Sequence, residues 1–211
     1  MKKITTLLIT AMFTLATSAF AGGMVGVKVG TGELDASSKA YTAGSTAYAA
    51  ESGQKDNRFG AIFAEVNVLE GPISVGLEYV PFDADISLNG KNSGVSANVS
   101  DYRTLYALAM HELNDIGVYA KLGYSMADIG TVKNSDGATT INSNSGELEG
   151  IMYGVGIQTA ELGKGIVARA EYTYTEFDDI SVTTTSNGSA SVKKTADGEL
   201  TTLTLSIAKS F

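Results

Sequence analysis

Leu200-Thr201-Thr202-Leu203-Thr204-Leu205-Ser206-Ile207-Ala208-Lys209-Ser210-Phe211 closes the sequence, and its spacing decides the fold. Leu203, Leu205 and Ile207 share one face, continued by Phe211, while Thr202, Thr204, Ser206 and Ala208 share the other. Alternation with a period of two is the pattern of a strand with one apolar and one polar side. Left at an open edge, such a strand would recruit other chains through its unpaired N–H and C=O groups. Closure removes the edge: the last strand pairs with the first and the sheet becomes a barrel.

The same alternation recurs upstream. Residues 24–32 set Val25, Val27 and Val29 against Gly26, Lys28 and Gly30, and residues 58–69 set Ile62, Ala64 and Val66 against Ala61, Phe63 and Glu65. Residues 73–81, 102–112, 116–126, 151–159 and 166–175 repeat it. With the closing stretch these make eight strands, each near the roughly 9–11 residues that cross a bilayer at a tilt. The connections at residues 70–72, 113–115 and 160–165 are tight. Those at 33–57, 83–101, 128–150 and 176–199 are long and rich in Ser, Thr, Asn, Gly and Ala. Irregular loops of such length are uncommon in compact soluble domains. The expected fold is all-β: an eight-stranded antiparallel up-and-down transmembrane β-barrel, with short turns on one rim and long loops on the other.

Alternation alone fits two barrels, one with its apolar face inside and one with it outside. Lys28, Glu65, Glu78, Arg103, Lys121, Arg169 and Glu171 share parity with Gly26, Gly30, Gly76, Gly117, Gly123, Gly154 and Gly156. Glycines of that density suit a crowded lumen. A charge facing lipid at mid-membrane costs about 2–4 kcal/mol, so a membrane barrel turns this face inward. Tyr79, Tyr102, Tyr124, Tyr172 and Tyr174 fall on the opposite face, mostly toward the long-loop ends, with Phe211 at the other rim; this reads as an aromatic girdle. The seven charged residues are expected to form an interior layer of ion pairs that plugs the lumen. On this parity the fourth strand turns Arg103, Leu105, Ala107, Ala109 and His111 inward, and Tyr102, Thr104, Tyr106, Leu108 and Met110 outward.

Residues 1–21 read as a signal peptide: a basic start at Lys2-Lys3, an apolar run, and Ala19-Phe20-Ala21 as the cleavage sequence. Residues 22–211 then form one barrel domain. The chain has no Cys, so packing and hydrogen bonds must stabilise it. Its net charge is −8 at pH 7, and the excess acid lies in the long loops. That argues against nucleic-acid partners, which need basic patches. It suits contact with lipopolysaccharide, whose phosphates divalent cations could bridge to carboxylates.

No chemistry-bearing motif stands out. His111, the one histidine, is expected to face the lumen as a polar filler, away from any nucleophile. Asp136-Gly137 and Asp178-Asp179 lack the spacing of a calcium loop and read as turns. Asn98-Val99-Ser100 and Asn187-Gly188-Ser189 are loop composition, and Gly154-x-Gly156 follows no strand–helix junction. No catalytic residue, cofactor or metal is expected, and the chain is read as a non-enzyme.

The leader ending in Ala19-Phe20-Ala21, the eight alternating strands, the loop asymmetry and the terminal Phe211 resemble small bacterial outer-membrane barrels of the OmpA-transmembrane-domain, OmpX and opacity-protein type. Two departures are the absence of Trp and Lys209 in the place of the usual aromatic two residues before the end. The resemblance implies a monomer in the outer membrane of a Gram-negative bacterium, with its termini in the periplasm and its last strand read by the barrel-assembly machinery. It implies a structural or adhesin-like role through the loops. A small passive porin is the alternative, and a lipid-modifying barrel enzyme a distant third.

Overall fold

The computed structural model describes residues 22–43, 45–68, 71–81, 83–89, 94–130, 133–134, 147–184 and 192–211. Eight strands build the barrel: β1 (Gly23–Ser38), β2 (Glu51–Asn67), β3 (Ile73–Val80), β4 (Gly94–Leu113), β5 (Ile116–Ile129), β6 (Glu147–Thr159), β7 (Ile166–Thr184) and β8 (Val192–Ser210). Each is antiparallel to the next in sequence, and β1 pairs with β8 through the register Val27↔Ile207, so the sheet closes without an edge. The two ends of this stretch are joined directly: Gly22 N–H donates to the Phe211 carbonyl at 3.2 Å, and Phe211 N–H to the Gly23 carbonyl at 2.9 Å.

Alternating exposure follows from the alternating sequence. Val27 and Val29 are 60% and 63% exposed on the outside, and Lys28 between them is 5% exposed on the inside. Leu122, Val155, Leu203, Leu205 and Ile207 continue the outer apolar surface. The tight connections lie on one side, where Asn114 turns the chain with a φ of 56° and Gly163 and Gly165 have φ of 108° and 72°.

The stretches expected to be irregular loops are partly strand. β1, β4, β7 and β8 have 16, 20, 19 and 19 residues, well beyond the roughly 9–11 that a crossing needs. Short strands Tyr41–Ala43 and Thr46–Tyr48 pair as a hairpin, and Ala84–Asn89 pairs with the start of β4. Thr- and Ser-rich segments satisfy their backbone groups by continuing the ladder beyond the apolar belt. The signal-peptide reading, Asp136-Gly137 and Asn187-Gly188-Ser189 lie outside the described residues.

The expected faces of the fourth strand are reversed. Thr104, Tyr106 and Leu108 are buried in the lumen, while Leu105 is 58% exposed and Ala107, Ala109 and His111 are exposed with it. Arg103, the one charge in that strand's expected inward set, stands at the end of a bulge between Ser100 and Arg103 with Asp101 at φ 53°. At that height a charge can face outward into water, so it says nothing about the lipid-facing side. What fixes the strand is steric. Gly76 lies opposite Tyr106, and a Cβ on Gly76 would stand 2.5 Å from the tyrosine ring. Gly26 opposite Phe63 and Gly156 opposite Tyr119 repeat the device. Each glycine lets an aromatic ring lie over the neighbouring strand.

Gly76→Ala should therefore destabilise the barrel by about 1–3 kcal/mol, the usual cost of overpacking, in urea unfolding of the detergent-folded protein. Gly32→Ala, whose added carbon comes no closer than 3.2 Å to any atom beyond its chain neighbours, the nearest being the flexible end of Leu200, should cost clearly less.

Candidate functional site

The lumen collects charge at mid-barrel. Lys28 on β1, Glu78 on β3, Lys121 on β5 and Glu171 on β7 meet as an alternating tetrad. Lys28 Nζ donates to Glu78 Oε2 and Glu171 Oε1, both at 2.6 Å, and Lys121 Nζ lies 3.1 Å from each of the same oxygens. All four side chains are at most 10% exposed. Tyr119 donates its hydroxyl to Glu171 Oε2 at 3.1 Å, and Lys121 Nζ sits 3.9 Å from the centre of the Tyr106 ring.

Nearer the tight turns a second group forms. Arg169 on β7 makes a two-pronged bond to Glu65 on β2, at 2.6 and 2.8 Å, and its Nε donates to Gln158 Oε1 at 2.6 Å. Tyr106 donates to Glu65 Oε1 at 2.8 Å. The guanidinium carbon stands 5.2 Å from the Tyr119 ring and 5.7 Å from the Phe63 ring. The fork geometry fits a carboxylate, and the aromatic faces favour the cation. Instead of one layer the charges form a tetrad and a pair. Gln158, Tyr106 and Tyr119, which the reading of charges alone passed over, complete both.

Arg103 belongs to neither group. It lies on the outer face near the loop side, 3.7 Å from Asp128 Oδ1 and in an ion pair with Glu147, because it shares the parity of the outward-facing Leu105. Tyr102 is turned the other way: it packs against the interior apolar cluster and donates to Ser125 Oγ at 3.1 Å, so it is not part of an outer girdle. Tyr124, Tyr172 and Phe211 are exposed on the outside, as is Tyr153. Tyr79 donates to Asp101 Oδ1 at 2.8 Å. Tyr124 is hydrogen-bonded to Glu149, and Tyr174 to Glu199. Three tyrosines thus reach from the apolar belt to carboxylates above it.

Those carboxylates belong to a wider acidic ring. Glu33, Asp35, Asp56, Glu176 and Glu199 are exposed. Glu33 lies directly opposite Asp56, Asp35 opposite Glu199, and Glu199 opposite Glu176. Like charges so placed repel. Further out, Lys39 bonds Asp179, which raises the lysine's pKa. Among the described residues no group of three or more His, Asp or Glu is set to hold a metal ion.

His111 is exposed on the outer face near the tight turns, not in the lumen where it was expected. Ala109 and Leu113 flank it on that face and Val118 lies opposite. None of the three is a nucleophile that it could activate.

A family model described as the outer membrane protein beta-barrel domain matches residues 5–200. No curated protein matches the sequence. Among solved structures the chain is similar to Ail, the attachment invasion locus protein of Yersinia pestis, solved with the heparin analogue sucrose octasulfate. The identity is 13% over 90% of this chain and 99% of that one, with a TM-score of 0.44. It is similar to Neisserial surface protein A at 10% identity, covering 89% and 97% of the two chains with a TM-score of 0.48. It is also similar to the outer membrane protease OmpT from Escherichia coli at 10% identity, covering 92% and 98% with a TM-score of 0.44.

Removing one member of the Glu65–Arg169 pair strands the other charge. Arg169→Met should cost about 3–5 kcal/mol, and combining it with Glu65→Leu should recover most of the loss. Denaturant unfolding of the three proteins checks this, and a double variant no more stable than the single one would contradict it.

Proposed function

Since the chain belongs to the outer membrane protein beta-barrel domain family, whose members lie in the Gram-negative outer membrane, we propose that it is a non-enzymatic barrel with a sealed lumen. It works through its loop-side surface, in a structural or surface-binding role. The observation that carries this reading is the tetrad. Four charged side chains from alternate strands meet at the centre of the lumen at hydrogen-bond distance, where eight strands leave room for little besides side chains. An ion crossing this level would have to break buried ion pairs.

In this reading both chain ends and the tight turns face the periplasm, and the extended strand ends and loops face outside. β8, the strand that completes closure, is the segment presented to the barrel-assembly machinery. A sheet with no free edge has no strand to lend a second copy, which favours a monomer. The acidic ring just above the tyrosines stands at the height of lipopolysaccharide head groups. Divalent cations shared with their phosphates would relieve the repulsion within Glu33–Asp56 and Glu176–Glu199–Asp35. Arg103, paired with Asp128 and Glu147, is one cation the chain itself supplies to that ring.

Planar-bilayer recording tests the sealed lumen. The reconstituted barrel is expected to give no stepwise conductance. Ohmic single-channel steps of reproducible size would overturn the proposal in favour of a passive pore.

A further inference from the structure

The lumen on the loop side of the tetrad is not polar. A cavity of about 130 Å³ opens there, walled by Leu34, Phe59, Val80, Leu148, Met152 and Phe177, with Glu78 and Lys121 at its floor. Tyr102, Thr104, Thr173 and Thr202 add hydroxyls to the lining. This is the reverse of the water-filled interior that a conducting barrel presents. Just behind this wall, between two of its residues, stands an unmet hydrogen bond. Thr175 lies between the lining residues Thr173 and Phe177 on the same inward face, opposite Met152 and Leu200. It is fully buried, and its Oγ1 has no partner.

From this arrangement we infer that the barrel holds a binding site for a small, neutral, largely apolar molecule carrying one hydroxyl, of the size of a monocyclic aromatic alcohol. Size comes from the cavity: apolar holes of about 150 Å³ stay dry and take up benzene. Neutrality comes from the floor. The lumen already balances Lys28, Lys121 and Arg169 against Glu65, Glu78 and Glu171, so a charged ligand would enter uncompensated. The hydroxyl has partners in the threonines of the wall and in the Glu78 carboxylate below. Concave sites lined by apolar groups with a few convergent polar ones are the usual form of small-molecule pockets. The site stands independently of the surface role proposed above.

Methyl-labelled methionine offers a direct test in the full barrel folded in detergent. Met152 lines the cavity, whereas Met126 alternates onto the outer face beside Arg103 and Glu149 and reports non-specific effects outside the lumen. On titration with benzyl alcohol, the Met152 methyl resonance should shift and saturate, while Met126 shifts linearly or not at all. Leu200→Trp and, separately, Val80→Phe should fill the cavity and abolish the saturable shift. Retained heat-dependent mobility on gels shows that each variant is folded. A Met152 shift that tracks Met126 without saturating, or saturation unchanged in a folded filled variant, would overturn the site.

Discussion

The structure depends on charge neutrality among side chains buried in the lumen. Among the described residues three cations and three anions are enclosed in the lumen, and each is compensated by hydrogen-bond contact with the opposite sign. Transferring one such ion from water to a low-dielectric interior costs several kcal/mol even after relaxation. The set is therefore tolerable only when complete. Its geometry also does what the ladder cannot. Backbone hydrogen bonds tie each strand to its two neighbours, but the tetrad ties β1, β3, β5 and β7 across the lumen. The lower pair ties β2 to β7, with β4 and β6 joined through Tyr106 and Gln158. The register of seven of the eight strands is thereby fixed from within as well as around the wall.

Glycine makes this arrangement possible. Tyr106, Tyr119 and Phe63 lie over Gly76, Gly156 and Gly26 of adjoining strands, and the flattened rings then present their faces to Lys121 and Arg169. The order is causal: a missing Cβ admits the ring, the ring stabilises the cation, and the cation neutralises the carboxylate. On the outside the hierarchy inverts, with an apolar belt, then tyrosine hydroxyls, then carboxylates. One alternation in the sequence produces both.

Much of this was legible before any coordinates. Strand number, closure, the short-turn and long-loop sides and the clustering of Lys28, Glu65, Glu78, Lys121, Arg169 and Glu171 on one parity all follow from a period of two. The fourth strand did not, because Thr104, Tyr106, Leu108 and Leu105, Ala107, Ala109 are nearly equal in polarity, and the single charge used to choose between them stood past a bulge. Register runs unbroken from Arg103 to Leu113, so parity is intact; what the sequence conceals is height, because Arg103 stands where an outward charge meets water. The pairing of Gly76 with Tyr106 would have decided the question, but it needs the register between strands as well as the pattern within one. The apolar character of the upper lumen was hidden for another reason: Leu148 and Phe177 lie in segments whose overall polarity reads as loop.

The central claim is the orientation of the two faces, and the absence of native Trp makes it directly measurable. Leu205→Trp and Leu108→Trp, each a single tryptophan, can be placed in bilayers whose acyl chains carry bromine. The account predicts strong quenching of the tryptophan at 205 and little at 108. Quenching at 108 with none at 205 would contradict it.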